Sequence, residues 1–228
     1  YLRNKLSVTG TGIMIVDLLV CIIYPFFSPH DYKEIHLAIG ATAPSAQHLF
    51  GTDNLGRDLF VRTMIGGRYS ITIGLLSALC SAAIGVAVGA TAGYFGGKMD
   101  RLLLRATELF QTFPQLVLNM VLAAVLGRSI FNLILIFTCT GWMSTARLVR
   151  NEFLSLREET YVKVSEAFGM KKTHVMFRQI LPNILTPITV SVTACIPGYI
   201  LSEASLSFLG LGVGETTPTW GNIINAGT

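Results

Sequence analysis

The chain has 228 residues, of which 51% are apolar and only 13% charged, and its mean hydropathy is +0.58. An ordinary soluble domain carries roughly 25% charged residues, so these few charges cannot coat a water-facing surface, and a soluble globular protein is excluded. Disorder, which needs low hydrophobicity and high charge, is excluded by the same figures.

Five stretches reach the ~20 mostly apolar residues that a helix needs to cross ~30 Å of hydrocarbon. In chain order they are 6–27, a window within 69–97, 109–127, 130–146 and 179–202. Each is expected to be helical, because a segment in lipid must satisfy its own backbone hydrogen bonds. The expected fold class is therefore an all-α polytopic membrane protein with five transmembrane helices. The expected division is a tail and first span (1–27), an external loop (28–68), and a membrane core (69–228) containing a cytoplasmic loop at 147–178. Tyr1 in place of Met suggests a chain that begins inside a longer sequence. An odd span count ending in the Gly-rich, weakly apolar segment 206–227 suggests a missing sixth span.

Lys and Arg favour the cytoplasmic side of a membrane. With the N-terminus inside, that side receives twelve of them: Arg3, Lys5, Lys98, Arg101, Arg105, Arg147, Arg150, Arg157, Lys163, Lys171, Lys172 and Arg178. The outside receives five, Lys33, Arg57, Arg62, Arg68 and Arg128, so an N-in topology is expected. The external loop is rich in turn formers (Ser28-Pro29, Pro44-Ser45, Gly51-Thr52-Asp53-Asn54) and ends in an amphipathic stretch, 57–68. The cytoplasmic loop alternates charged and apolar residues at helical spacing. It reads as two short helices joined at Gly169, outside the bilayer.

Small residues recur every fourth position in the second span: Ser77, Ser81, Gly85, Gly89, Gly93 and Gly97. Such a row lets another helix approach closely, either as static packing or as a sliding seam. Gly93-x-x-Gly96-Gly97-Lys98 is not a nucleotide loop, because Ala92 and Met99 break the required pattern. Prolines interrupt the third span (Pro114) and the fifth (Pro182, Pro187, Pro197), and lining of a transport path is one reading of such breaks. Asp17 lies near the middle of the first span, where a carboxylate costs ~2.5–3.5 kcal/mol. It reads as a protein-facing, hydrogen-bonded or protonated group, since the other spans offer no second acid or histidine for a relay. His30, His36 and His48 in the external loop match no compact metal-ligand spacing, His174 reads as solvated, and no metal site is expected. Cys21, Cys80, Cys139 and Cys195 read as small buried hydrophobes. No catalytic constellation is present, and the residues of a substrate pathway are not legible.

A run of motifs covers almost the whole chain. It includes His48-Leu-Phe-Gly-Thr-Asp-Asn-Leu-Gly-Arg-Asp58, Tyr94-Phe-Gly-Gly-Lys-Met-Asp100, and Trp142 with Ala146-Arg-Leu-Val-Arg150. It continues through Tyr161-Val162, Gly169 and Ile180-Leu-Pro-Asn183 to Glu203-Ala-Ser-Leu-Ser-Phe-Leu-Gly-Leu-Gly212 and Trp220-Gly221. In this order the chain resembles the second permease subunit of bacterial ABC importers of the dipeptide, oligopeptide and nickel class. The resemblance implies a non-enzymatic subunit, multi-pass in the bacterial inner membrane, forming a translocation path with a homologous permease. It implies two ATPase subunits carrying ATP and Mg, an extracytoplasmic binding protein, no cofactor in this chain and no nucleic acid. It also implies that Tyr161, Val162, Lys163, Val164, Glu166, Ala167, Phe168, Gly169 and Met170 couple to an ATPase subunit. Lys163-Val164-Ser165 stands where Glu-Ala-Ala is usual, and Gln179 replaces an Ile. Peptide is the first substrate class implied, and nickel or a metal chelate the alternative. A rival of another class is an ion-coupled secondary transporter using Asp17, and another is a membrane anchor or receptor.

Overall fold

In the computed structural model, which describes residues 5–28, 31–214 and 216–226, the chain is all-α, with no strand among the described residues. Arg3, His30 and the ends of the Ser28-Pro29 and 206–227 segments lie outside the described residues. Two compact units are present, one within Tyr1–Ile73, Arg128–Ile130 and Ile200–Thr228, the other within Gly74–Gly127 and Phe131–Tyr199.

The first unit contains α1 (Lys5–Phe27), the start of α2 (Leu59–Phe95), the end of α8 (Leu185–Phe208) and the short α9 (Trp220–Ala226). Pro25 lies inside α1 and has no N–H to offer the carbonyl of Cys21. Arg68 supplies the missing donor, with Nε 2.7 Å from that oxygen and a second guanidinium N–H bonded to Ile22 O. α2 begins at Leu59, so the stretch 57–68 is largely the first turns of a 37-residue helix rather than the tail of a loop. Asp58 caps it, accepting the Val61 N–H at 2.9 Å, and His48 Nδ1 lies 2.8 Å from its other carboxylate oxygen. In the loop before it, Asp53 accepts the Leu55 and Arg57 N–H groups and the Arg57 Nε. Burial opposes the Asp53 charge, but these donors and the Arg57 cation hold its carboxyl below the usual carboxylate range. Gly56, at φ +72°, closes that turn where a side chain would strike His36 backbone.

The second unit contains the rest of α2, with α3 (Gly97–Gln111), α4 (Gln115–Leu126), α5 (Ile130–Arg157), α6 (Thr160–Ala167), α7 (Lys172–His174) and most of α8. The expected span at 109–127 is not one continuous helix. Pro114 separates α3 from α4 at an angle of 83°, and the 12 residues of α4 reach only ~18 Å. Residues 147–157, expected in a loop, continue α5. Around Pro182 the helix widens to a π-type segment at Val175–Ile180 and tightens to a 3-10 turn at Leu181–Ile184, while Pro187 and Pro197 lie within helical α8. Three helical stretches are long and apolar enough to cross a membrane, Val8–Phe27, Leu59–Phe95 and Lys172–Phe208, and the bent α3–α4 pair makes a fourth if taken as one span. Of the cysteines only Cys21 is fully buried; Cys80 and Cys139 are exposed on the chain's apolar outside and Cys195 is half-buried. Small size lets a thiol sit on a lipid-facing surface as readily as in a core.

Candidate functional site

The small-residue row of α2 lies along α5. A Cβ on Gly85 would come within 2.7 Å of Thr145 Cβ and 2.8 Å of Trp142 O. On Gly89 it would strike Ala146 O, and on Gly93 it would come within 2.6 Å of Arg150 O. Backbone therefore meets backbone along three successive turns, the close approach that only glycine permits. Ser81 accepts the Tyr199 hydroxyl at 2.9 Å, joining α2 to α8, while Ser77 is fully buried with no partner for its hydroxyl among the described residues. Gly97 stands apart from the row: it opens α3 at φ +59° with nothing within 4 Å of a side chain. At the end of the seam Arg150 on α5 forms a two-pronged ion pair with Asp100 on α3, one bond being 2.7 Å. That hydrogen-bonded carboxylate raises the Arg150 pKa above its ordinary value.

The glycine-broken segment is braced against this seam. Val162 of α6 is fully buried in a cluster with Ala90, Val149, Phe153, Met176 and Ile180. It is therefore a core residue of this chain and presents no surface to a partner. The Tyr94 hydroxyl donates to Glu166, Arg157 Nη1 donates to the Tyr94 carbonyl at 3.1 Å, and Asn183 Nδ2 donates to the Tyr161 hydroxyl at 3.3 Å. Lys163 pairs with Glu158 at 3.1 Å; hydrogen bonds from Lys163, then Arg157, hold that exposed carboxyl below its usual range. After Phe168 the backbone turns through Gly169 at φ +76°, a left-handed conformation that stops α6. The turn leaves an apolar tip in the open, with Phe168 83% exposed and Val164, Met170 and Tyr161 also exposed. Ala167 and Lys163 are exposed beside them, and Glu166 spends one oxygen on Tyr94. A rigid base carrying exposed apolar side chains is suited to fill a groove on another protein.

Other sequence candidates are placed elsewhere. Asp17 is exposed on α1 and does not face protein within this chain, because that helix buries little of its surface. The missed acid is Glu203, one residue beyond the expected fifth span and fully buried on α8. Its carboxyl accepts the Ser207 hydroxyl at 2.6 Å and the Ser70 hydroxyl at 3.0 Å, and Ser70 in turn accepts the Trp220 N–H at 3.2 Å. The signal available was the motif containing Glu203 together with Trp220-Gly221, whose residues close on one another. His36 pairs with Glu34, His174 is exposed, and no group of three His, Cys, Asp or Glu among the described residues could hold a metal ion.

Comparison with known proteins adds a lineage to this geometry. A family profile described as "Binding-protein-dependent transport system inner membrane component" matches residues 85–228. Another, "N-terminal TM domain of oligopeptide transport permease C", matches residues 1–45. The oligopeptide transport system permease protein OppC of Bacillus subtilis is 39% identical over 224 residues, 98% of this chain and 73% of that protein. The dipeptide transport system permease protein DppC of the same organism is 38% identical over 99% of this chain and 70% of its own length. The OppC permease of Haemophilus influenzae is 35% identical over 100% of this chain and 74% of its own length. An all-α chain of long apolar helices with these relatives belongs to the membrane permease family of binding-protein-dependent ABC transport systems.

Proposed function

We propose that this chain is the permease subunit of an ATP-driven peptide importer, N-terminus cytoplasmic, pairing with a homologous permease to enclose the translocation path. Two ATPase subunits, holding ATP and Mg, engage the tip at Tyr161, Lys163, Val164, Glu166, Ala167, Phe168 and Met170, and an extracytoplasmic binding protein delivers the substrate. The observation that carries this reading is the exposed Phe168 at the end of α6, a helix locked through Val162 into the core of α2, α5 and the π-type segment. Motion imposed on the tip by closure of an ATPase dimer passes to those helices as to a lever. The cavity then switches from inward-facing to outward-facing by a population shift, with no covalent chemistry in this chain. The oligopeptide and dipeptide names of its relatives favour peptide over nickel. In the reconstituted complex, peptide-loaded binding protein should stimulate ATP hydrolysis several-fold, and nickel chelates should not. Stimulation by the chelates alone overturns the peptide assignment.

A further inference from the structure

External cations run against the charge bias that orients membrane proteins, so the five expected on the outside call for individual reasons. Arg68 serves the carbonyls of α1, and Lys33 stands exposed 5.4 Å from the Tyr32 ring. The other three, Arg57, Arg62 and Arg128, line one cavity of about 130 Å³ in the first unit, together with Ser207, Gly210 and Asn222. Among the described residues, one acid neutralises them. Arg57 Nε holds Asp53 at 2.7 Å, and Arg62 Nε lies 3.9 Å from the same carboxylate oxygen. Arg62 is 4% exposed, and its Nη1 donates to the Tyr32 carbonyl at 3.2 Å. Arg128 makes no hydrogen bond or ion pair among the described residues and lies over Gly210, whose missing side chain keeps that wall open.

Burying the Arg62 guanidinium beside two more, with a single carboxylate between them among the described residues, is costly unless an anion completes the set. Paired guanidinium planes favour the flat, two-oxygen geometry of a carboxylate. The volume is well under the ~300–1,000 Å³ of a drug-sized site, so it fits an end group and not a whole peptide. We infer that the Arg57–Arg62–Arg128 cavity binds the C-terminal carboxylate of the incoming peptide at the outer mouth. Arg62 and Arg128 are the contacting groups, and Arg57, held by Asp53, positions the rim. This inference rests on the peptide-importer reading and names the part of the peptide that the permease itself recognises.

The test uses the intact complex in lipid nanodiscs, without binding protein and held by a non-hydrolysable ATP analogue, titrated calorimetrically with trialanine and with trialanine amide. The free acid should bind at least about tenfold more tightly, the scale of one charge-assisted hydrogen-bonded pair. Arg128→Gln should reduce that preference to less than about twofold, whereas Lys33→Gln, the same charge change outside the cavity, should retain it. Equal binding of acid and amide by the unaltered complex, no binding of either, or a preference that survives in Arg128→Gln overturns the inference. If Arg128→Gln instead abolishes stimulation by ligand-free binding protein and keeps the acid preference, the cavity receives an acidic side chain of that protein, and the inference is again overturned. Should Arg128→Gln fail to assemble, the acid–amide comparison in the unaltered complex still decides. Failure of the peptide reading itself shows separately, as absence of ATPase stimulation by peptide-loaded binding protein.

Discussion

Replacing Gly93 by Leu should lower the thermal stability of the second unit. A Cβ there meets the Arg150 carbonyl at 2.6 Å and Phe153 Cβ at 2.7 Å, and the first of these is backbone that a rotamer change cannot move aside. The remaining leucine atoms have nowhere to go except by separating α2 from α5. Separation would also break the Asp100–Arg150 pair and open the cluster around Phe153. Overpacking of this kind costs ~1–3 kcal/mol, a fall in melting temperature of roughly 2–12 °C for a chain of this size. Gly198→Ala supplies the contrast. Nothing lies within 4 Å of a side chain at that helical position, and alanine gains up to ~1 kcal/mol in helix propensity. Thermal unfolding of the purified complex in detergent checks both, and a Gly93→Leu protein that melts with the unaltered one would remove the seam from the account.

That seam was readable in the sequence because a four-residue repeat of small side chains has one physical use between helices in lipid. Its limit was not, since Gly97 continues the repeat by count but follows the helix end at Phe95. Pro114 announced a break but not its angle, which depends on what α3 and α4 pack against. Val162 was counted with the coupling residues because an eight-residue amphipathic helix presents two faces, and only tertiary contact decides which is buried. Glu203 escaped notice for the opposite reason. Span-finding rewards apolar runs and stops at the first acid, whereas the helix continues to Phe208 because Ser70 and Ser207 satisfy the carboxyl. Asp17 is an exception of another kind: the sequence marks it as an acid in an apolar run, and the structure leaves it exposed on α1. Several family motifs were recognised as strings but act as joints, with His48 on Asp58, Asp100 on Arg150 and Ser70 linking Glu203 to Trp220.

Phe168→Asp should uncouple the complex without unfolding the chain. The side chain is 83% exposed, so the core of the second unit loses nothing, and the melting temperature should stay within about a degree of the unaltered value. Seated in an apolar groove of an ATPase subunit, the same position would bury an unpaired carboxylate. Loss of a central aromatic anchor costs about 2 kcal/mol or more, roughly thirtyfold in affinity, before the charge is counted. ATP hydrolysis should therefore cease to respond to peptide-loaded binding protein, and uptake should fall at least about thirtyfold. Wild-type stimulation in Phe168→Asp would show that the tip is not the contact. A neutral change at Val162 would behave differently, since Val162→Ala opens a cavity in the core and lowers stability before it touches coupling.

The most direct measurement is uptake of labelled trialanine into proteoliposomes containing this chain, its homologous permease partner, the ATPase subunits and the binding protein. The expected result is accumulation that requires ATP on the side of the Phe168 tip and is indifferent to an imposed proton or sodium gradient. Uptake driven by such a gradient through this chain in the absence of the ATPase subunits would contradict the account and return Asp17 to the centre of the mechanism.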